Sequence, residues 1–346
     1  MTKFKTSLLC ATLLTSALFA TQAAKADAIA DFYRGKTMQM IIATSPGGDY
    51  DTRGRLLARH MNRLIPGEPT IVPQNMPGGV GIAAANHMAA AAPRDGTVLH
   101  MLMQNMPAHQ AIGGQGVKFD TRKLIFIGNT TDTPNVINSW HTTGITKIEQ
   151  VKTQELIVGA AGTATPAAYY PAALNAMAGT KFKIVTGYPG GNDVNLAMEK
   201  GEVGGRGSNS WASWKSLNPK WIAEGKVHIL VQIGLQRAKD LPDVPLLFEL
   251  ATNEVDREVL RFISADTAIS RSAVTTPDVP PERVTALRKA FMDTMKDAQF
   301  LGEANKMGLD ISPLSGEASQ AVADKIVVAP SEVIERAKLI LEGTGK

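Results

Sequence analysis

Short apolar runs that end in glycine turns and pass into helically spaced apolar residues set the rhythm of this chain. Met38 to Ala43 forms the first such run and breaks at Ser45-Pro46-Gly47-Gly48, after which Leu56, Leu57, Met61 and Leu64 return at helical spacing. The pattern predicts a strand, a glycine turn and a helix in succession. Asp51 or Thr52 stands where a short oxygen side chain caps a helix. Gly47 and Gly48 have no Cβ, so a ligand can approach the backbone there, and amides at a helix start favour an anion. Lys183-Ile184-Val185-Thr186-Gly187-Tyr188-Pro189-Gly190-Gly191-Asn192-Asp193 repeats this grammar, with Asp193 as the cap and Leu196 and Met198 in the helix. Two such turns in separate halves of the chain suggest two jaws around one ligand.

Between them, Ile71 and Val72 predict a short strand ended by Pro73 and Pro77. An alanine-rich helix is expected over Ile82 to Ala92, and a strand over Thr97 to Met103. The order βαβαβ implies a parallel sheet covered by helices, with ligands beyond the carboxyl ends of the strands. Leu124 to Gly128 reads as a strand leading toward a second domain. Ile157 to Ala160 is another, followed by the small-residue loop Ala161-Gly162-Thr163-Ala164-Thr165-Pro166 and a helix from Ala167 to Ala178. Val227 to Ile233 is a further strand, and Leu241-Pro242-Asp243-Val244-Pro245 a stiff turn. The last third reads as helical, over Pro281 to Met295 and over Ser315 to Ile340 with a break at Pro330.

The N-terminus changes the picture of charge and compartment. Lys3 and Lys5 precede an apolar run from Leu8 to Ala20, and Ala24-Lys25-Ala26 supplies small residues for a signal peptidase. A secretory signal cleaved after Ala26 is expected; the run is too short for a membrane span. Of the 346 residues the only cysteine, Cys10, lies inside that segment. The formal net charge of +4 comes from 36 basic and 32 acidic residues. Loss of Lys3, Lys5 and Lys25 leaves 33 basic residues, about one more than the acidic ones. No basic tract argues for nucleic acid. Gly79-Val80-Gly81-Ile82-Ala83-Ala84 fits a dinucleotide fingerprint in form. Pro73 and Pro77 interrupt the strand that should lead into it, however, and no acidic residue follows at the required distance. The histidines (His60, His87, His100, His109, His141, His228) are scattered, without metal-site pairing. No catalytic residue, metal site or cofactor is assigned.

Taken together, the ordered motifs resemble the periplasmic solute-binding proteins of tripartite tricarboxylate transporters, the TctC or Bug family. They are Pro46-Gly47-Gly48 with Asp51 and Arg55, Asn75-Met76-Pro77-Gly78, Ala92-Pro93 with Asp95-Gly96, and Gly162 with Thr165-Pro166. Tyr188 with Gly190-Gly191, Gly201-Glu202-Val203, and Leu241-Pro242-Asp243-Val244-Pro245 complete the series. The resemblance covers essentially the whole chain after the signal. It implies an α/β, two-lobed periplasmic-binding-protein-like (Venus flytrap) fold, with mostly parallel sheets covered by helices and lobes joined by crossing strands. One lobe is expected over residues 27–130 with 255–346, and the other over 131–254.

The resemblance also implies a small carboxylate held by loop amides and small polar side chains. The first jaw would be Ser45, Pro46, Gly47, Gly48, Asp49 and Tyr50, with Gly78 and Gly79. The second would be Ala161, Gly162, Thr163, Thr165, Gly190, Gly191, Asn192, Ser208 and Asn209. Asp49 and Arg206 depart from the family pattern. Asp49 is expected as a solvated turn residue, and replacing it by Asn should then change binding less than threefold. Arg206 either pairs with a distal carboxylate or lies on the surface. Trp211 and Trp214 either wall the pocket or pack in the core. The implied function is extracytoplasmic capture of a carboxylate by a monomer that hands it to membrane transporter subunits. Presentation to a membrane histidine kinase is equally compatible with these residues, whereas a secreted enzyme lacks a nucleophile or an acid–base pair.

Overall fold

The computed structural model describes residues 28–343; the expected signal and its cleavage site lie outside them. Two sheets organise the chain. The first contains β1 (Thr37–Ile42), β2 (Thr70–Asn75), β3 (Val98–Leu102), β4 (Ile125–Asn129), β10 (Ser272–Thr275) and β11 (Leu314–Ser315) in the order β11-β4-β10-β3-β1-β2. The second contains β5 (Asn135–Trp140), β6 (Leu156–Ala160), β7 (Phe182–Thr186), β8 (Gly205–Ser210) and β9 (Val227–Ile233) in the order β7-β6-β8-β5-β9.

The βαβαβ start folds as its pattern predicts, with β1 parallel to both β2 and β3. Pro73 does not end β2. It pairs opposite Met40 inside the strand, which a proline tolerates because β2 is the sheet edge. The last third is not wholly helical: β10 enters antiparallel between β3 and β4, and β11 pairs antiparallel with β4. The second sheet is likewise mixed, because β5 runs against β8 and β9. The helix Pro281–Thr294 is followed by a separate helix, Ala298–Lys306, capped by Asp297 through the Phe300 amide.

Alternation along β1 explains how its sheet is covered on both faces. Met38, Met40 and Ile42 pack with Leu57, Met61 and Phe291, from the helices Asp49–Met61 and Pro281–Thr294. Ile41 faces the other way, toward Ala84, Ala85 and Met88 of the helix Ile82–Ala90. Burying each such side chain contributes about 1.5–3 kcal/mol. Trp211 and Trp214 are core residues of the second unit, packed with Val136, Trp140 and Met198.

The chain crosses from the first sheet to the second directly between β4 and β5. It returns between β9 and β10 through the helix Glu254–Ser264 and a 3-10 turn, Ala265–Ile269. Asn129 ties the two crossings together. Its amide donates to the carbonyls of Thr131 and Ala268, and its oxygen accepts from the Arg271 amide. The helix Ser331–Gly343 packs against Glu254–Ser264 and Pro166–Ala178.

Candidate functional site

The first glycine turn is shaped by residues that share no local sequence pattern. Asp51 does not cap its helix; Asp49–Met61 begins after Gly48 with no side-chain cap. Instead the Asp51 carboxylate accepts from the Gly47 amide at 2.9 Å, from Arg55 Nε at 2.9 Å and from the Asn75 amide at 2.8 Å. Asn75 also donates to the Thr44 carbonyl and accepts from Arg55. This clamp holds Gly47 at φ +87°, a conformation that favours glycine. The Gly47 amide is therefore spent on Asp51. Gly48 is different: a Cβ added there would meet nothing, so its Cα faces open space.

The turn places Asp49 inward, not in solvent as its turn propensity suggests; only 8% of the residue is exposed. Its carboxylate accepts from Arg53 Nε at 3.0 Å and from Arg271 Nε. Burial alone would raise the Asp49 pKa, but the two guanidinium groups outweigh it and hold the carboxyl at about 2. Arg271 stacks over the Tyr50 ring, 4.2 Å from its centroid, and donates to Gln104 at 3.4 Å. The Gln104 backbone amide donates to the Tyr50 hydroxyl at 3.2 Å. One carboxylate thus faces two buried cations.

Across the cleft, the helix Gly191–Glu199 starts after Gly190, again without a side-chain cap; Asp193 does not serve as one. Arg206, at the head of β8, lies half-buried against that turn. A Cβ on Gly191 would sit 2.2 Å from its Nη2, so Gly191 makes room for this guanidinium. Arg206 donates to Asn195 Oδ1 at 3.2 Å. Among the described residues no carboxylate pairs with it. Burial, and secondarily the charge of Arg271, lower its pKa to about 10, so it is charged at neutral pH.

A cavity of about 490 Å³ lies between these walls. The structure brings together around it Ser45, Pro46, Gly48, Asp49, Tyr50, Gly78, Gly79, Ala161, Thr165, Gly190, Gly191, Asn192, Arg206, Ser208 and Asn209. Three expected residues do not line it. Gly47 faces the Asn192 amide across the gap, Gly162 faces Val80, and Thr163 borders a separate, smaller cavity. Val80 is held at φ 55°, ψ 39°, a left-handed conformation that costs a β-branched residue about 1–3 kcal/mol. The loop thus carries strain where it reaches the opposite jaw.

Sequence reasoning missed Arg271, Gln104 and Asn135, which also line the cavity. Arg271 had one local signal, a charged residue between Ser270 and Ser272 just before the apolar pair Ala273-Val274. The Asn135 side-chain oxygen and the Thr44 hydroxyl are buried without a protein partner and border the same space.

Behind Gln104 sits a fully buried carboxylate, Asp266. It accepts from Tyr169 at 2.7 Å, Tyr170 at 2.8 Å and Gln104 at 3.0 Å. Burial raises its pKa to about 6 from an ordinary 3.8, against the three hydrogen bonds that lower it. The folded state therefore binds the extra proton between about pH 4 and 6, and stability falls as pH rises through that window. Asp49 acts in the opposite sense and lower down, its contribution being lost as pH falls from 3.8 toward 2. Asp266→Asn should remove the first effect. In chemical denaturation, the stability of the variant relative to the parent should grow by about 3 kcal/mol between pH 4 and 7. A difference that stays flat would mean that Asp266 titrates at its ordinary value.

The sequence matches no protein-family profile and no curated protein. Solved structures do match. A TctC solute-binding protein from Polaromonas, without ligand, aligns at 20% identity over 90% of this chain and 99% of its own, with a TM-score of 0.62. A protein of R. palustris solved with adipate aligns at 16% identity over 90% and 97%, with a TM-score of 0.67. MatC of Rhodopseudomonas palustris with bound malate aligns at 18% identity over 88% and 99%, with a TM-score of 0.64. The chain therefore has the two-lobed α/β fold of these structures, and its cavity is lined from both sheets.

Proposed function

We propose that this protein belongs with the TctC-type solute-binding proteins and captures a small organic carboxylate outside the cytoplasm for delivery to membrane transporter subunits. The observation that carries this reading is Arg206, a charged guanidinium facing the cavity with no carboxylate partner among the described residues. Three helices, starting at Asp49, Pro166 and Gly191, begin at this cavity without side-chain caps and add the positive ends of their dipoles. The adipate and malate bound by structures of the same fold are acids of suitable size. Binding and release require no catalytic group, and none is assigned. The expected N-terminal signal agrees with a periplasmic location.

Gly48→Val tests the site sterically. A Cβ at position 48 would meet no protein atom within 4 Å, so the apo melting temperature should hold. Adding a series of mono- and dicarboxylates to the parent should, for at least one acid, reduce the radius of gyration by X-ray scattering as the lobes close. The same acids should leave Gly48→Val unchanged. Equal compaction of both proteins would place the ligand elsewhere.

A further inference from the structure

The loops that form the cleft also wall a second cavity, of about 250 Å³. Gln104 lines the cleft and Asn105 the second cavity; Ala161 and Thr165 line the cleft, and Thr163 and Ala164 the second cavity. The Asn105 side-chain amide, on the segment after β3, donates to the Ala164 carbonyl, in the loop after β6, at 3.3 Å. We propose that the second cavity is the rear compartment of the binding site and holds the tail of the ligand. The captured acid would then carry an uncharged, mainly apolar chain beyond its carboxylate. This rests on the reading of the cleft as a carboxylate site.

The chemistry of the walls sets the class of tail. Ala108, Ile112, Ala164, Ile263 and Tyr169 supply the apolar surface, and no Asp, Glu, Lys or Arg lines the space. Burial lowers the pKa of His109, the one titratable ring-nitrogen group there, and favours its neutral form. Its Nε2 lies 3.4 Å from the Gln115 carbonyl. A tail ending in a second carboxylate would find no cation among the lining residues. Apolar cavities of about 150 Å³ accept benzene, so this volume suits a ring or a chain of about six carbons.

Among the polar residues of the lining, Asn105 carries an unsatisfied group. Asn105 is 2% exposed, and its side-chain oxygen has no partner. A buried acceptor left unpaired is unfavourable, and a hydroxyl on the tail would satisfy it. Both sheets contribute walls to this compartment, through the segment after β3 and the loop after β6. Filling it is therefore coupled to the same closure as the cleft.

The test titrates the exported protein calorimetrically with acetate, butanoate, hexanoate and 6-hydroxyhexanoate. Affinity should rise at least tenfold from acetate to hexanoate. Ala108→Phe, which fills the rear compartment from the helix Met106–Ala111, should lose at least tenfold toward hexanoate and less than threefold toward acetate. Thr163→Trp fills it from an exposed loop and serves should the first variant fail to fold. Equal affinity for acetate and hexanoate in the parent overturns the proposal, as does a filled variant that weakens both acids equally or neither. Binding of no acid at any length would instead overturn the carboxylate reading on which it rests.

Discussion

Asp49→Ala should destabilise the protein by about 3–5 kcal/mol, because it strands two buried cations. The Arg53 and Arg271 side chains are 1% and 5% exposed, and both donate to this one carboxylate. Arg53 already has one terminal nitrogen without a partner and relies otherwise on the Asp310 carbonyl at 3.0 Å. Asp49→Asn keeps an acceptor but removes the charge and should fall between parent and Ala variant. Binding should weaken as well, since Arg271 would lose the partner that fixes it over Tyr50. Urea unfolding at pH 7 measures the first effect. A loss below 1 kcal/mol would return Asp49 to the solvated turn expected from its residue type.

The second large effect concerns Arg206. Arg206→Met keeps much of the side-chain volume and removes the charge, and carboxylate affinity should drop at least a hundredfold, about 2.7 kcal/mol. Arg206→Lys restores charge without the planar fork and should recover only part of the loss. Stability should not suffer, because burial and Arg271 both disfavour the charged form of Arg206. A raised apo melting temperature together with lost binding would mark a residue kept for the ligand. Lost binding together with a lowered melting temperature would mark it as structural.

How much of this was legible before the structure depends on how local each feature is. Both glycine turns, β9 and the strand–loop–helix from β6 to Ala178 follow from apolar runs and breakers, which are local. The loops that carry much of the cavity lining were therefore legible in the sequence. The reasons for individual residues were not. Gly191 looked like an opening for ligand, yet it makes room for Arg206, 15 positions away in the chain. Asp49 looked like a turn former because turn propensity carries no information about Arg271, 222 positions away. β10 is only four residues long and pairs with strands from the first third of the chain, so the helical reading of the C-terminal part passed over it. Thr163 was placed in the right loop but faces the rear cavity, a distinction of backbone direction that spacing does not encode.

The central claim is that the cavity between the jaws holds a carboxylate, and a thermal-shift panel tests it most directly. The exported protein would be melted with a saturating series of mono- and dicarboxylates of two to eight carbons, beside their neutral amides. A ligand that binds only the folded state at a hundred times its Kd adds about 2.7 kcal/mol. The account predicts a clear rise in melting temperature for at least one acid, none for its amide, and none for that acid with Arg206→Met. A panel in which no acid stabilises the protein, or in which amides do so equally, would contradict it.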